Sequence, residues 1–244
     1  MVDVHSHLLP MIDDGAEDID ELNMMLGMYE VEGVDRIVAS AHFMPGRFDN
    51  CYEDVCLCID ALGLGGRVLP GQEVFLDGGT LGACREGLVR GINGSDYLLV
   101  ELGFDFYREE YVSYVIELMN MGFRVVVAHP ERYGYFVEDP VLLNDLIDVG
   151  CFFQVNSSSV EGLLGSKVRK FVFRMARAGL VDFLGSDAHG SRGRVPRLRE
   201  AKAILGKEFP GLGEIVEGNA LAMVEGRDLV RQERKVFVKK RFWF

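Results

Sequence analysis

"GFRVVVAHPERY", residues 122–133, sets the pattern from which the fold is read. A glycine able to end a helix precedes an apolar, β-branched run, and the run stops in a histidine, a proline, a glutamate and an arginine. The unit recurs. Similar β-rich runs occupy residues 2–7, 36–41, 67–69, 97–102, 152–156 and 181–186. Between them lie stretches with helical spacing, in which Ile19, Leu22, Met25, Leu26 and Tyr29 make one face and Val112, Val115, Ile116 and Met119 another. Leu143, Leu146 and Ile147 continue the series, as do Val168, Phe171, Val172, Met175 and Ala176, and Gly33, Gly122, Gly150 and Gly179 stand where helices should stop. Seven strand–helix units in one chain predict an α/β fold, a parallel barrel closed or nearly so.

Every run delivers polar chemistry at its carboxyl end: His5 and His7, then His42, Glu73, Glu101, His129 with Arg132, Asn156, and Asp187 with His189. In an α/β barrel that end is where active sites are assembled, so seven loops should converge on one pocket. Residues two apart in a strand share a face, so His5 and His7 can grip one ion together, and Asp187 and His189 repeat the spacing. All five histidines of the chain sit at such ends. Glu73 and Glu101 close apolar runs, where an unpaired carboxylate would cost several kcal/mol. Mixed imidazole and carboxylate ligands without thiolates suit Mn²⁺, Fe²⁺ or Zn²⁺ held for hydrolysis rather than a closed structural zinc site. Arg132 follows His129 by three and Arg194 follows His189 by five. Arginines beside metals imply an anionic ligand between them, and phosphate fits. Gly15 and Gly71 read as permissive backbone at the rim.

Composition narrows the classes. A chain of 244 residues, 48% hydrophobic, can bury a full core, and no apolar run reaches the ~18 residues that span a bilayer. With the first histidine at position 5 there is no basic and then apolar leader, so the cytoplasm is the expected compartment. Five scattered cysteines suit reduced thiols. A net charge of −12 argues against nucleic acid, whereas an acidic protein can still handle anions if metals reverse the local sign. Cys84 and Arg90 have the Cys-x5-Arg spacing of thiol-dependent phosphatases, but Glu86, Leu88 and Val89 fill what should be a phosphate-cradling loop of small residues. Cys56 and Cys58 diverge on a helix and make no metal pair.

Taken in order, "DVHSHLLPMIDDGA" (3–16), "PGQE" (70–73), "VELGF" (100–104), "AHPERY" (128–133), "QVNSSS" (154–159) and "SDAHGSRGRVPRLREA" (186–201) resemble the motif set of the bacterial protein-tyrosine phosphatases of capsular and exopolysaccharide biosynthesis, in the polymerase and histidinol phosphatase (PHP) superfamily. The resemblance runs from Met1 to about Gly226. It implies a single-domain, distorted (β/α)7 TIM-like barrel over residues 1–226 holding three divalent ions, manganese first, with iron or zinc as alternatives. His5, His7, Glu73 and Asp187 would hold one ion. Glu73 would bridge to a second with Glu101 and His129, and Asp14, His42 and His189 would hold the third. Arg132 and Arg194 match the phosphate-gripping arginines, with Arg192 the nearest substitute, while Asp13 receives no ligand role and is left to solvent or to supporting a neighbour. One departure is Ser40-Ala41 before His42, where the family often has Thr-Pro or Thr-Ser.

The implied activity is metal-dependent hydrolysis of phosphotyrosine on a protein, a membrane-associated bacterial tyrosine autokinase. The alternatives are a PHP phosphatase of a small molecule such as histidinol phosphate, and a non-catalytic metal-binding regulatory module. The basic aromatic tail, residues 227–244, reads as a final strand, since Val236, Val238 and Lys240 alternate with Phe237, Lys239 and Arg241. Its other reading is docking, through Trp243 and its cations, on an anionic membrane surface or on the acidic face of another subunit of a homo-oligomer.

Overall fold

The computed structural model describes residues 1–238. Its parallel strands are β1 (Val2–Ser6), β2 (Arg36–Met44), β4 (Val68–Phe75), β5 (Tyr97–Glu101), β6 (Arg124–Ala128), β7 (Phe152–Asn156) and β8 (Phe183–Gly185), hydrogen-bonded in that order. A two-residue β3 (Phe48–Asp49) folds back antiparallel on the end of β2. The sheet closes because Asp187 N–H donates to the His5 carbonyl and His7 N–H to the Ala188 carbonyl, both at 2.8 Å, with a parallel bridge between Ser6 and Ala188. The parallel barrel of seven strands is therefore as expected. β2 and β4 run several residues past the expected ends, since their ladder continues from Ile37 and Val68 to Phe43 and Val74. Polarity at His42 and Glu73 suggests strand ends, but the ladder carries both residues within it.

Strand parity explains how one barrel can be both a core and a site. The inward face of β5 carries Tyr97, Leu99 and then Glu101; that of β7 carries Phe152, Gln154 and Asn156; and that of β2 carries Val38, Ser40 and His42. Each begins apolar at its amino end and turns polar at its carboxyl end. The outward residues Leu98, Val100, Val125, Val127, Phe153 and Val155 join the larger core under the helices. In β1, Val2 and Val4 belong to the lower barrel core while His5 and His7 face the site, a change of parity made by the register shift between Asp3 and Ser6.

The longer outer helices are α1 (Ile19–Glu32), α2 (Tyr52–Ala61), α4 (Glu110–Asn120), α8 (Ser166–Arg177), α9 (Arg199–Glu208) and α10 (Leu212–Val224). Shorter turns α3 (Thr80–Arg85), α5 (Gly134–Glu138), α6 (Asn144–Asp148) and α7 (Ser157–Glu161) lie between them. The α10 residues Ala220, Met223 and Val224 pack into the amino end of the barrel, so access is from the carboxyl end. Gly33, Gly122, Gly150 and Gly179 all take positive φ at element ends, as expected. Two helical faces differ from the expected ones. On α1, Leu22, Met25 and Tyr29 are buried but Ile19 is exposed; on α4 the buried face is Tyr111, Val115 and Leu118, and Ile116 faces solvent. Spacing alone did not weigh Tyr111, whose hydroxyl accepts the Gly103 N–H at 2.8 Å.

The tail forms no strand over residues 227–238. A closed barrel offers no free edge to pair with, and the chain is fixed instead by specific bonds across the amino end. Arg234 pairs with buried Asp182 at 2.8 Å, Lys235 N–H donates to the Ala178 carbonyl, and Phe237 exchanges two hydrogen bonds with the Asn144 side chain. Lys239, Lys240, Arg241 and Trp243, on which the docking reading rests, lie outside the described residues. Among the described residues no helix is long and apolar enough to cross a membrane.

Candidate metal centre

Nine residues expected as ligands, from the strands β1, β2, β4 and β5 and the loops that follow β1, β6 and β8, meet at the carboxyl end of the barrel. Four overlapping groups bring one donor atom per residue to within 4.8 Å of one another: His7, Asp14, His42 and His189; His5, His7 and Asp187; His5, Glu73 and His129; and His42, Glu73 and Glu101. Asp187 and His189 do not sit in a strand as their spacing suggested. Asp187 lies two residues past β8 with φ 52°, a left-handed turn that aims its carboxylate inward.

Hydrogen bonding around His5 and His7 tests whether these residues suit a cation. Asp187 can only accept, so the Asn156 amide presents its Nδ2 at 2.7 Å; Asn156 Oδ1 then receives Gln154 Nε2 at 2.9 Å, and Gln154 Oε1 is left to face His5 Nδ1 at 2.9 Å. His7 Nδ1 faces Asp13 Oδ2 at 2.8 Å. Both Nδ1 atoms therefore carry hydrogen, and the two Nε2 atoms face each other across 3.2 Å. Glu73 Oε2 lies 3.2 Å from each Nε2, with Asp187 Oδ1 at 3.6 and 3.7 Å. The same geometry recurs at the rim. His189 Nδ1 donates to the Asp187 carbonyl at 3.0 Å, so its Nε2 lone pair faces Asp14 Oδ1 at 3.4 Å, and His42 Nε2 lies 3.4 Å from the same oxygen. Acceptors converging on acceptors at these separations fit positive ions between them.

The surrounding carboxylates favour positive charge at these rings: against burial, Glu73 and Asp187 raise His5, and Asp13 and Glu73 raise His7 well above its ordinary range, so a proton competes with an ion for each Nε2. Burial alone would raise the Glu73 carboxyl, yet the imidazoles of His5, His129 and His7 hold it well below the usual range. Glu101 is pushed up to about 9 by burial and by the neighbouring charge of Glu73. Burial and the charge of His7 bring His189 down to about 4, so it stays neutral and keeps its lone pair. A cage containing a carboxyl group forced to stay protonated is one that lacks positive charge.

Arg132 and Arg194 line the same cavity, of about 390 Å³, with Asp14, Glu73, Glu101 and Asp187. Arg132 Nη1 reaches Asp187 Oδ2 at 2.7 Å and Arg194 Nη1 reaches Asp187 Oδ1 at 3.4 Å. Arg192 lines a neighbouring cleft with Glu17, Asp18 and Glu21 and does not line this one. Cys84 is half-buried in α3, outside the cavity, with its thiol pushed up to about 11 by burial, the opposite of a nucleophile's shift.

Two residues outside the expected ligand set hold it in place, and for Asp13 the second of its two expected readings, support of a neighbour, is the one seen. Besides His7, Asp13 accepts the backbone N–H of His42 at 3.0 Å and of Gly15 at 2.9 Å, so it supports its neighbours rather than facing water. Gln154 was legible in principle, as a polar residue two before Asn156 on the inward face of an apolar strand. Gly15 and Gly71 owe their place to crowding, not to a turn. A Cβ on Gly15 would lie 1.9 Å from the His7 carbonyl oxygen, and one on Gly71 2.6 Å from Val38 Cγ1, and neither residue has positive φ.

Residues 1–223 match the family model described as capsular polysaccharide synthesis, CpsB/CapC. The chain is 31% identical over 240 residues to the tyrosine-protein phosphatase YwqE of Bacillus subtilis, covering 95% of this chain and 94% of that protein. It is 27% identical to the tyrosine-protein phosphatase CpsB of Streptococcus pneumoniae, covering 86% and 91%. A solved structure, from work describing YwqE of B. subtilis and CpsB of S. pneumoniae as metal-dependent tyrosine phosphatases, superposes with a TM-score of 0.93 at 30% identity, covering 98% of this chain and all of the other.

Proposed function

The chain belongs to the capsular polysaccharide synthesis CpsB/CapC family, and on that premise we propose that it is a metal-dependent protein-tyrosine phosphatase. The observation that carries this reading is the convergence of imidazole lone pairs and carboxylates on shared points, with two arginines opening onto the same cavity. Three divalent ions would be held there, one by His5, His7, Glu73 and Asp187, one by Glu73, Glu101 and His129, and one by Asp14, His42 and His189, with manganese the first choice. When bound, such ions supply Lewis-acid charge at phosphorus and a nucleophile drawn from water at neutral pH.

The chain's own residues do the rest. Arg132 and Arg194 present guanidinium groups that rest on Asp187 and can turn to the phosphoryl oxygens, where charge-assisted bonds strengthen as negative charge develops. Asn156 and Gln154 pass one hydrogen-bond chain from Asp187 to His5, so phosphate binding and ligand orientation share a support. No thiol is required, and a tyrosine leaving group, with a pKa of ~10, asks little of a general acid. The physiological substrate would be a phosphotyrosine-bearing protein, a membrane-associated bacterial tyrosine kinase of capsule or exopolysaccharide synthesis, met in the cytoplasm. The test is release of phosphate from a phosphotyrosine peptide by wild type and by Cys84→Ser, each stripped with chelator and refilled. Equal turnover in both, lost on stripping and restored by Mn²⁺, is expected; loss in Cys84→Ser without metal dependence would overturn the reading.

A further inference from the structure

The mouth of the cavity is apolar where the ligands and arginines are not. Phe48, Phe75, Phe104 and Met44 line it beside the charged cluster. Phe104, three residues beyond Glu101, leaves 44% of its surface exposed. Its ring lies 5.0 Å from that of Tyr133 and 6.0 Å, stacked, from that of His129, with the Arg132 guanidinium 5.2 Å from its centre. Phe48, half-buried on β3, stacks on His42 at 5.5 Å with the rings 13° from parallel. His42 and His129 approach opposite oxygens of Glu73, at 3.3 and 2.8 Å. Phe48 and Phe104 therefore each back an imidazole that touches Glu73, and both rings line the cavity. An exposed aromatic residue at a polar pocket gains nothing from water, but it gains from a second apolar ring brought to the mouth.

We propose that Phe48 and Phe104 are the walls of a slot that takes the aromatic ring of the phosphorylated tyrosine and so selects aryl over alkyl phosphomonoesters. The inference rests on the phosphatase reading above and adds the residues that choose the leaving group. A phosphoryl group between Arg132 and Arg194 leaves its ester oxygen facing out of the cavity, where a phenyl ring meets these side chains and a serine or threonine methylene reaches too little of them. Phe48 follows from the turn Met44–Arg47, in which Arg47 N–H donates to the Met44 carbonyl at 2.9 Å, and this two-residue β3 was invisible in the strand pattern.

The test uses inhibitors that do not react, so that leaving-group chemistry cancels. Competitive inhibition constants of phenylphosphonate and methylphosphonate would be measured against the metal-loaded wild type, Phe48→Leu, Phe104→Ala and Phe104→Tyr, with metal content and circular dichroism recorded for each. The slot predicts that Phe104→Ala weakens phenylphosphonate about tenfold, equivalent to about 1.4 kcal/mol, and leaves methylphosphonate within about twofold. Phe48→Leu should move in the same direction, and Phe104→Tyr should restore most of the loss. Equal weakening of both phosphonates would assign Phe104 to supporting Arg132 and overturn the slot, as would unchanged constants in both truncations. Wild-type protein that hydrolyses no phosphomonoester would instead remove the phosphatase reading itself.

Discussion

Replacing Asp13, which is not among the expected ligands, should weaken metal binding as much as many ligand substitutions do. Its carboxylate accepts from His7 Nδ1 at 2.8 Å and from the backbone N–H groups of His42 at 3.0 Å and Gly15 at 2.9 Å. The first bond fixes the tautomer that leaves His7 Nε2 free for an ion, and loss of such a support costs ~10–100-fold in metal affinity, or about 1.4–2.8 kcal/mol. In Asp13→Ala the other two bonds also vanish, leaving buried N–H groups unsatisfied at about 1–3 kcal/mol each in fold stability. Asp13→Asn keeps the volume and one acceptor, so it should lose metal affinity while keeping most of that stability. Gln154→Leu is the neutral control. It removes the partner of His5 Nδ1, together with the Gln154 bonds to the His129 N–H and to Asn156 Oδ1, and should weaken metal by about tenfold without any change of charge. Competition of the apo-proteins with a chelating indicator gives the affinities, and denaturant unfolding gives the stabilities. Wild-type affinity in Asp13→Asn and Gln154→Leu alike would refute the argument that these bonds orient the imidazoles.

Three further outcomes follow from the geometry. Arg132→Ala and Arg194→Ala should retain metal yet raise the inhibition constant of free phosphate by about tenfold or more, with Arg132, the less exposed of the two, the larger effect, since a charge-assisted contact contributes ~1.5–3 kcal/mol. Cys84→Ser should match wild type in turnover, measured with an aryl phosphate, because that side chain does not line the cavity. Arg234→Ala should destabilise the fold by ~3 kcal/mol in denaturant unfolding, since Asp182, bonded to the Phe153 N–H at 2.9 Å, stays buried without its cation; truncation after Asp228 should cost at least as much.

Much of the barrel was legible because each strand repeats one rhythm, apolar inward residues giving way to a polar one, and because glycines with positive φ mark the helix ends. Boundaries were less so. His42 and Glu73 lie inside ladders that continue to Phe43 and Val74, since a barrel lumen tolerates polar residues where a sheet face covered by helices would not. Over residues 227–238 the tail's alternation makes no strand, since a closed barrel has no edge to accept another one. The residues expected as ligands announced themselves by type and position, and the structure brings all nine together. Gln154 did not, and Asp13 stood undecided between solvent and support, because a residue that orients another through a hydrogen bond leaves no spacing to read. Nothing in the strand and helix spacing marks Phe48 or Phe104, which only the fold brings to the mouth.

The most direct test of the central claim is metal stoichiometry measured alongside turnover. Wild type and Glu73→Gln would be stripped with chelator, refilled with Mn²⁺, freed of excess ion and analysed for bound metal while phosphotyrosine-peptide hydrolysis is followed on the same samples. Glu73 offers oxygens to His5, His7, His42 and His129, so the account predicts that wild type regains about three ions per chain together with its activity. Glu73→Gln should stay folded, bind fewer ions and lose nearly all turnover. Full hydrolysis by stripped wild-type protein, or by Glu73→Gln with its metal content unchanged, would contradict it.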